Sequence, residues 1–154
     1  EENDERLIFF VRGVMETVRK LRWEPETIHC SGRVTALAPL YIRKQYADDP
    51  TIGKAKIVYS IFDDQFDGTL DPRFVEKLIA DNIIPEDIAI LGDQPVDCLT
   101  LNKLAIAHSD GVIQASKDIP QGLIDFANSL GKPFLPYQGE TPDAQAVVDF
   151  YESL

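Results

Sequence analysis

The chain has 154 residues, and its 15 Lys and Arg against 26 Asp and Glu give a net charge of −11. Nucleic acid and anionic membrane surfaces are excluded as partners, because an acidic protein is repelled by both. Ile, Leu, Val and Phe account for 47 residues, enough for one sizeable core. No apolar run approaches the roughly 18 residues of a membrane span, and the acidic start is unlike a signal peptide. We expect a single cytoplasmic domain over residues 1–154.

The cysteines, glycines and histidines exclude several classes of site. Cys30 and Cys98 lie far apart in apolar surroundings, which predicts buried free thiols rather than a disulfide or a zinc site. No two glycines are closer than eight positions, so neither G-x-G-x-x-G nor a Walker loop is present. A self-contained nucleotide site is therefore not expected. With only His29 and His108, and no G-x-S-x-G, a Ser/His/Asp hydrolase is poorly supported.

Hydrophobic periodicity predicts alternating helices and strands in the first half of the chain. Apolar residues recur at steps of three and four before Pro25, which indicates an amphipathic helix capped by Asn3 or Asp4. Its apolar face carries Leu7, Phe10, Val11, Val14, Val18 and Leu21. The predicted elements are a helix at 4–22, a strand at 27–30, a helix at about 35–46 with Pro39 in its first turn, and a strand at 55–62 (AKIVYSIF).

The second half continues the same alternation. Asp71 and Pro72 form a cap and first-turn pair, Gly131 ends a later helix, and Asp143 begins the last one. The predicted elements are a helix at about 71–81, an irregular segment at 83–95, a helix at about 96–108, a strand at 111–115, a helix before Gly131, a strand at 134–135, and a final helix whose shared face carries Ala144, Val147, Val148 and Tyr151.

This alternation of helices and short apolar strands is typical of an α/β domain with a parallel sheet. We predict half of a Rossmann-like three-layer domain with a parallel sheet of about four strands. Such sheets usually begin with a strand that carries a phosphate-binding loop, whereas this chain opens on a helix. We therefore expect that the N-terminal part of the domain precedes Glu1.

The candidate site follows from the geometry of parallel sheets, in which ligands lie beyond the carboxyl ends of the strands. That edge comprises the loops at 31–35, 63–68 and 116–118. A phosphate or carboxylate could be bound by an arginine there, and a hydroxyl could place a helix N-terminus over an anion. The alternative is that the hydroxyls cap a helix and the arginine is a solvated charge. The candidate ligand cleft consists of Ser31, Arg33, Thr35, Asp63 and Asp64.

The acidic loop at 63–71 partly matches a calcium-binding loop. Oxygen-bearing residues occupy its positions 1, 3, 5 and 9, with Gly68 at position 6. Position 3 is Gln65, and position 12 is Phe74 where a bidentate Glu is required. We expect a solvated acidic loop, with no metal and no cofactor.

The segment at 2–42, ENDERLIFFVRGVMETVRKLRWEPETIHCSGRVTALAPLYI, resembles the N-terminal catalytic domain of the ADP-glucose-dependent starch and glycogen synthases (glycosyltransferase family 5). That family has a D-N-x-E-R-x-x-F-F-x-R helix followed by L-x-W-x-P-D-x-I-H-x-x-D-W-H-T-A-L-x-P. The segment LNKLAIAHSDGVIQAS at 101–116 is similar to the family's L-K-x-x-I-x-x-A-D-x-V-x-T-V-S. The resemblance implies two Rossmann-like domains, ADP-glucose bound mainly by the C-terminal one, and glucan chains approaching the cleft between them.

The chain departs from the family pattern at the positions that face the transferred glucose. Gly32, Arg33 and Val34 stand where the family has D-W-H, and Phe62 replaces the histidine of T-x-H-N. Losing one preorganised contact typically costs about 2.7–4 kcal/mol of barrier, so the resemblance implies a domain without practical turnover. The end of the chain looks like that of a short, single-domain branch of the family.

The resemblance implies a starch or glycogen synthase-like glycosyltransferase domain that is inactive as this chain alone, with no catalytic residue assigned. The alternative is a non-catalytic carbohydrate-binding or regulatory module that acts through a partner. Glucan or ADP-glucose is expected to bind weakly, because half of a two-domain cleft desolvates only part of a ligand.

The family's strand order also predicts association with another chain. The strands expected to pair with the one at 27–30 are missing, so its outer edge exposes backbone groups. Right-handed crossovers place most later helices on one side of the sheet, which leaves the helix at 4–22 to cover the other. We expect self-association or a partner domain to bury this surface.

Overall fold

The computed structural model describes the backbone of residues 3–154, with side chains described from Asp4 onward. The chain alternates helices with four strands. The helices are α1 (Asn3–Lys20), α2 (Ala38–Lys44), α3 (Phe74–Ala80), α4 (Cys98–Ala107), α5 (Gln121–Ser129) and α6 (Ala144–Glu152). The strands are β1 (Thr27–Ser31), β2 (Lys56–Ile61), β3 (Gly111–Gln114) and β4 (Phe134–Leu135), and two 3-10 segments lie at Arg33–Thr35 and Pro85–Leu91.

The four strands form one parallel sheet in the order β1-β2-β3-β4. Tyr59 in β2 lies between Cys30 of β1 and Val112 of β3, and Val112 pairs in turn with Phe134 of β4. Each new strand is added next to the preceding one, so all four carboxyl ends lie at one edge of the sheet. The predicted α/β class, the parallel direction and the four strands are confirmed.

The main core lies on one face of the sheet, beneath α1, α2, α4 and α5. Ile57, Tyr59 and Ile61 of β2 are fully buried there, because alternate strand residues point to the same face. Helix α1 contributes Val11 and Met15 to this core and packs against α2.

The opposite face is covered by α6, so the prediction that the helix at 4–22 covers it is wrong. Val58 and Ile113 on this face pack against Phe150, which is 9 % exposed. Gly111 provides space for α6, because a Cβ at this position would lie 2.9 Å from Phe150 Cζ and from Leu154 Cδ2. The described residues therefore form three layers, with α6 alone on its side of the sheet.

Helix bounds and faces differ from the prediction in detail. The predicted helix at 35–46 is a 3-10 turn followed by α2, with Pro39 in the first turn of α2. The predicted face of α1 is rotated, since Phe10 is 42 % and Leu21 69 % exposed while Met15 is buried. In α6, Val148 faces solvent and Phe150 faces the core instead.

Of the two residues predicted to cap α1, only the side chain of Asp4 is described. The side chain of Asn3 lies outside the described residues, and Asp4 lies within the helix and contacts Lys77. Cys30 and Cys98 are buried and unpaired, which confirms the prediction of free thiols. None of the described helices has both the length and the apolarity needed to cross a membrane.

Candidate functional site

The loop after β1 is held against the loop after β2 at the carboxyl edge of the sheet. Gly32 donates its N–H to Ser60 O at 3.1 Å and has a φ of 77°, a conformation that favours glycine. The next N–H, of Arg33, donates to Asp64 Oδ2 at 2.9 Å. A Cβ on Gly32 would lie 2.8 Å from that carboxylate oxygen. Glycine is therefore required for Asp64 to reach the backbone of the β1 loop.

The side chain of Arg33 extends from this loop towards a neighbouring cavity. Its guanidinium carbon lies 5.6 Å from the centroid of the Phe66 ring, a cation–π arrangement. Arg33 lines this cavity, and among the described residues it forms no ion pair with a carboxylate.

The other candidate residues have different positions. Thr35 donates its hydroxyl to Gly32 O at 2.8 Å and stabilises the 3-10 turn. It does not act as the helix cap of the alternative interpretation, because neither this turn nor α2 has a side-chain cap. Asp63 donates its backbone N–H to Ser116 Oγ at 2.9 Å and has an exposed side chain, and Ser31 is exposed at the end of β1. Of the five candidates, only Arg33 lines the cavity, and Asp64 positions its loop.

A cavity of about 470 Å³ lies between the N-terminal turns of α1, the β1 loop and the β2 loop. Its walls combine apolar and charged side chains. The apolar lining comprises Leu7, Phe10, Val34, Phe66, Leu70 and Leu101, and the polar lining comprises Asp4, Arg6, Arg33, Asp67, Thr69 and Asp71. This size is in the range of small-molecule sites, which are about 300–1,000 Å³.

The buried carboxylate of Asp4 is the most unusual group in the cavity wall. Its side chain is 1 % exposed, and Oδ2 accepts a hydrogen bond from Lys77 Nζ at 2.7 Å. The same ammonium contacts Glu5 at 3.0 Å and lies 4.0 Å from Asp71. The bonds to Asp4 and Glu5 raise the pKa of Lys77, so it remains charged at neutral pH. Asp4 Oδ1 has no hydrogen-bond partner among the described residues.

The polar groups of the lining are mostly charged. The lining contains three carboxylates and two guanidinium groups but neither histidine nor cysteine. The described residues contain no cluster of three His, Cys, Asp or Glu that could hold a metal ion. The arrangement can donate and accept hydrogen bonds and can pack against a flat apolar surface.

The histidine of β1 lies on the other side of the sheet. Its ring hydrogen-bonds Ser60 Oγ through Nε2 and Tyr151 Oη through Nδ1, and desolvation lowers the pKa of His29. Ser60 is 2 % exposed, so its hydroxyl is out of reach of a substrate. This chain of hydrogen bonds attaches α6 to the sheet.

A family model of the starch synthase catalytic domain matches residues 1–130. The chain belongs to this family. The starch synthase match ends before α6, which therefore lies outside the matched residues. The family assignment predicted from the motifs at 2–42 and 101–116 is confirmed.

Individual members of the family cover part of the chain. A glycogen synthase from Chlorobium phaeobacteroides is 35 % identical over 115 residues, which are 75 % of this chain and 22 % of that protein. A glycogen synthase from Chlorobaculum parvum is 41 % identical over 73 residues, which are 47 % of this chain and 15 % of that protein. The chain thus spans less than a quarter of the length of these relatives. No solved structure gave a match.

Two of the four positions that depart from the starch synthase pattern, Arg33 and Val34, line the cavity. Val34, at the position of the family's histidine in D-W-H, lines the cavity and is 49 % exposed. Phe62, at the position of the histidine in T-x-H-N, is 39 % exposed and lies close to Gly32. At these two positions an apolar side chain stands where the family pattern has a histidine.

The sequence prediction missed the part of the cavity that α1 supplies. The sequence offers Asp4 as a helix cap, but Asp4 lies four residues before Ile8 on the stripe that continues through Val11 and Met15. A carboxylate on the buried stripe of an amphipathic helix was the available signal, because such a group needs a partner inside the protein.

Proposed function

We propose that this chain is a starch or glycogen synthase-like glycosyltransferase domain that binds glucan or ADP-glucose weakly and does not transfer glucose by itself. The main support is the position of the cavity, at the carboxyl edge of the sheet and between the two loops that carry the family's glucose-facing positions. Membership in the family supplies the substrate class.

The replaced residues support the absence of turnover. Arg33 and Val34 in the β1 loop and Phe62 in the β2 loop lack the side chains that the family pattern places there. Each lost contact of this kind costs about 2.7–4 kcal/mol of barrier, and several lost together reduce the rate below a measurable level.

The experiment has two readouts on the same preparation. Release of ADP from ADP-glucose is followed with and without glycogen, and we expect no glucan-dependent rate above the buffer control. Chemical-shift titrations with maltose and with ADP-glucose are expected to perturb residues 31–35 and 63–70. Sustained glucan-dependent release of ADP contradicts the absence of turnover, and perturbations confined to the opposite edge of the sheet contradict the placement.

A non-catalytic carbohydrate-binding or regulatory module is the second candidate function. It is favoured by the lining of the cavity, whose described residues include neither histidine nor cysteine. Saccharide binding with no turnover after the family's remaining domain is supplied as a separate chain supports the module. Restored turnover in that mixture supports the glycosyltransferase instead.

We also propose that a second copy of this chain pairs with the open edge of β1. The bonds Lys56 N–H to Glu26 O and Gly32 N–H to Ser60 O connect even-numbered positions to β2. By alternation, the N–H and C=O groups of Thr27, His29 and Ser31 point away from the sheet. These three residues are placed symmetrically about His29. Strand β1 of a second copy can therefore pair with them in the antiparallel direction, with a two-fold axis at His29.

Charge opposes this self-association, which gives a direct test. Two copies of a chain with net charge −11 repel each other, so added salt is expected to strengthen the association. Thr27→Lys places a charge at the open edge and is expected to give a monomer in sedimentation, whereas Thr69→Lys, in the β2 loop, serves as the charge-matched control. A wild-type protein that is monomeric at high concentration and high salt contradicts the proposal and favours a partner domain.

The proposed location is the cytoplasm. The two buried, unpaired cysteines are typical of a reducing compartment. Cell fractionation with an antibody against the chain tests this location, and recovery in a secreted or membrane fraction contradicts it.

A further inference from the structure

The feature that carries this inference is an arginine side chain in the wall of the cavity. Arg33 is half-buried and lines the cavity. Its guanidinium carbon lies 5.6 Å from the centroid of the Phe66 ring, and this cation–π contact uses no hydrogen bond. The N–H donors of the guanidinium have no hydrogen-bond or ion-pair partner among the described residues. They are therefore available to a ligand that enters the cavity.

The backbone that carries this arginine is fixed by the protein itself. The N–H of Arg33 donates to Asp64 Oδ2 at 2.9 Å, and the N–H of Gly32 donates to Ser60 O at 3.1 Å. The ring of Phe66 then supports the guanidinium at the end of the side chain. A group that is already held in place loses less conformational freedom when a ligand binds, so more of the contact energy contributes to affinity.

The carboxylates of the cavity wall differ in whether a cation of the protein lies against them. Lys77 Nζ lies 2.7 Å from Asp4 Oδ2 and 4.0 Å from Asp71 Oδ2, which reduces the negative potential that these two acids add to the cavity. Asp67 is exposed and forms no ion pair with a described residue. Asp67 is therefore the carboxylate that opposes an anion in the cavity, and Arg33 is a cation that attracts one.

The chemistry of a guanidinium group specifies which ligand gains most from it. Its planar fork of N–H donors matches the oxygens of a phosphoryl group, which can accept two hydrogen bonds at once. A neutral saccharide offers only hydroxyl oxygens, and a hydrogen bond to an anionic oxygen is the stronger one. The apolar lining, which includes Phe10 and Val34, suits the uncharged part of such a ligand.

We propose that Arg33 is the specificity-determining residue of the cavity: it binds the phosphoryl group of a glycosyl phosphate or a nucleotide sugar, and it selects such a ligand over a neutral glucan. The inference rests on the proposed function in using the same cavity, and it decides between the two ligand classes named there. Arg33 stands where the family's D-W-H has a tryptophan, so this contact belongs to this chain rather than to the motif.

The test compares two arginines that carry the same charge at different places. Arg33→Gln removes the cation of the cavity wall, whereas Arg19→Gln removes a 51 % exposed cation that pairs with Glu16 outside the lining. ADP-glucose, glucose 1-phosphate and maltotriose are titrated calorimetrically into the full chain. We expect a phosphorylated ligand to bind more tightly than maltotriose. Arg33→Gln should weaken its binding roughly tenfold or more, and Arg19→Gln less than about twofold.

Two further measurements keep the test decisive if Arg33→Gln does not fold. Asp67→Asn removes the opposing carboxylate and is expected to strengthen the binding of glucose 1-phosphate about twofold or more. Weaker binding in this variant contradicts the proposal. In the wild-type chain, the Nε–H resonance of Arg33 is followed by NMR during the same titrations, and a phosphorylated ligand is expected to shift it. An unchanged resonance under saturating glucose 1-phosphate contradicts a direct hydrogen bond.

The outcomes separate this inference from the proposed function. Tighter binding of maltotriose than of either phosphorylated ligand, or equal effects of Arg33→Gln and Arg19→Gln, overturns the inference while a ligand at the cavity still supports the proposed function. Binding of glucose 1-phosphate through Arg33 without binding of ADP-glucose or maltotriose supports the inference and contradicts the proposed function. Tighter binding of ADP-glucose than of glucose 1-phosphate supports the inference and assigns the nucleotide sugar, and the reverse order supports it and assigns the glycosyl phosphate. Absence of all binding overturns both.

Discussion

Helix α6 is predicted to be essential for the fold although it lies beyond the residues that match the family. Its central contact is Phe150, which is 9 % exposed and packs on Val58 and Ile113. Removing a buried phenylalanine side chain typically costs about 3–5 kcal/mol, because apolar contacts are lost and a cavity is left. A domain of this size has a stability of about 5–15 kcal/mol, so Phe150→Ala should remove a large part of it.

Urea unfolding followed by circular dichroism measures this cost. We expect Phe150→Ala to lower the free energy of unfolding by about 3 kcal/mol, near the lower end of the range because α6 lies at the protein surface. Val148→Ala on the same helix is the matched control, since Val148 is 42 % exposed. Its effect should stay within about 0.5 kcal/mol. Equal effects of the two substitutions would refute the assignment of α6 as the cover of this face.

The glycine beneath α6 provides an independent check from the sheet side. A methyl group at Gly111 would lie 2.9 Å from Phe150 Cζ, so Gly111→Ala should cost about 1–3 kcal/mol through overpacking. Gly122→Ala in α5 meets no atom within 4 Å and should be neutral or slightly stabilising. Because the two groups collide directly, Gly111→Ala should cost less in a Phe150→Leu background. If the costs of the two substitutions simply add, the methyl group at position 111 does not contact the ring of Phe150.

Three further measurements probe the titratable and buried groups. Desolvation lowers the pKa of both histidines, so the stability they contribute is complete above about pH 6.5 and falls as the pH drops through their folded values. The urea concentration at the unfolding midpoint should decrease as the pH is lowered from about 7.5 to 5, and His108→Gln should make this decrease smaller. An equal decrease in the variant and the wild type would contradict a contribution from His108. Burial raises the pKa of Cys30 to about 12 and also raises that of Cys98, so a thiol reagent should label both only after denaturation. Rapid labelling of the native protein would contradict this. Tyr41 donates to Asp81 at 2.6 Å, so Tyr41→Phe should lower the free energy of unfolding by about 1–3 kcal/mol, and a neutral result would show that the bond contributes nothing.

The hydrophobic pattern of the sequence determined the elements and the class of fold. The strands at 27–30, 55–62, 111–115 and 134–135 all occur within one residue of the predicted bounds. Apolar runs, prolines and glycines act on neighbouring residues, so their effect is visible in a short window. The parallel direction followed from the helices between the strands, since a parallel pair needs a long crossover.

The motifs also determined the family, and the replaced residues in the loops after β1 and β2 indicated where a site should lie. The details of that site depended on distant contacts. Arg33 is held by Asp64, 31 residues away, and the sequence offered both as candidates without connecting them. Only the folded chain places the arginine over Phe66 and leaves Asp64 as a support for the loop.

Two features depended on tertiary structure alone. An apolar face shows that a helix packs against another element, but not on which side of the sheet it lies. The sequence favoured α1 as the cover of the face opposite the main core, whereas α6 covers that face and α1 packs in the main core. Asp4 looks like a helix cap in the sequence, and its burial depends on Lys77, 73 residues later. Both outcomes arise from long-range packing, in which each residue's environment is set by elements far away in the chain.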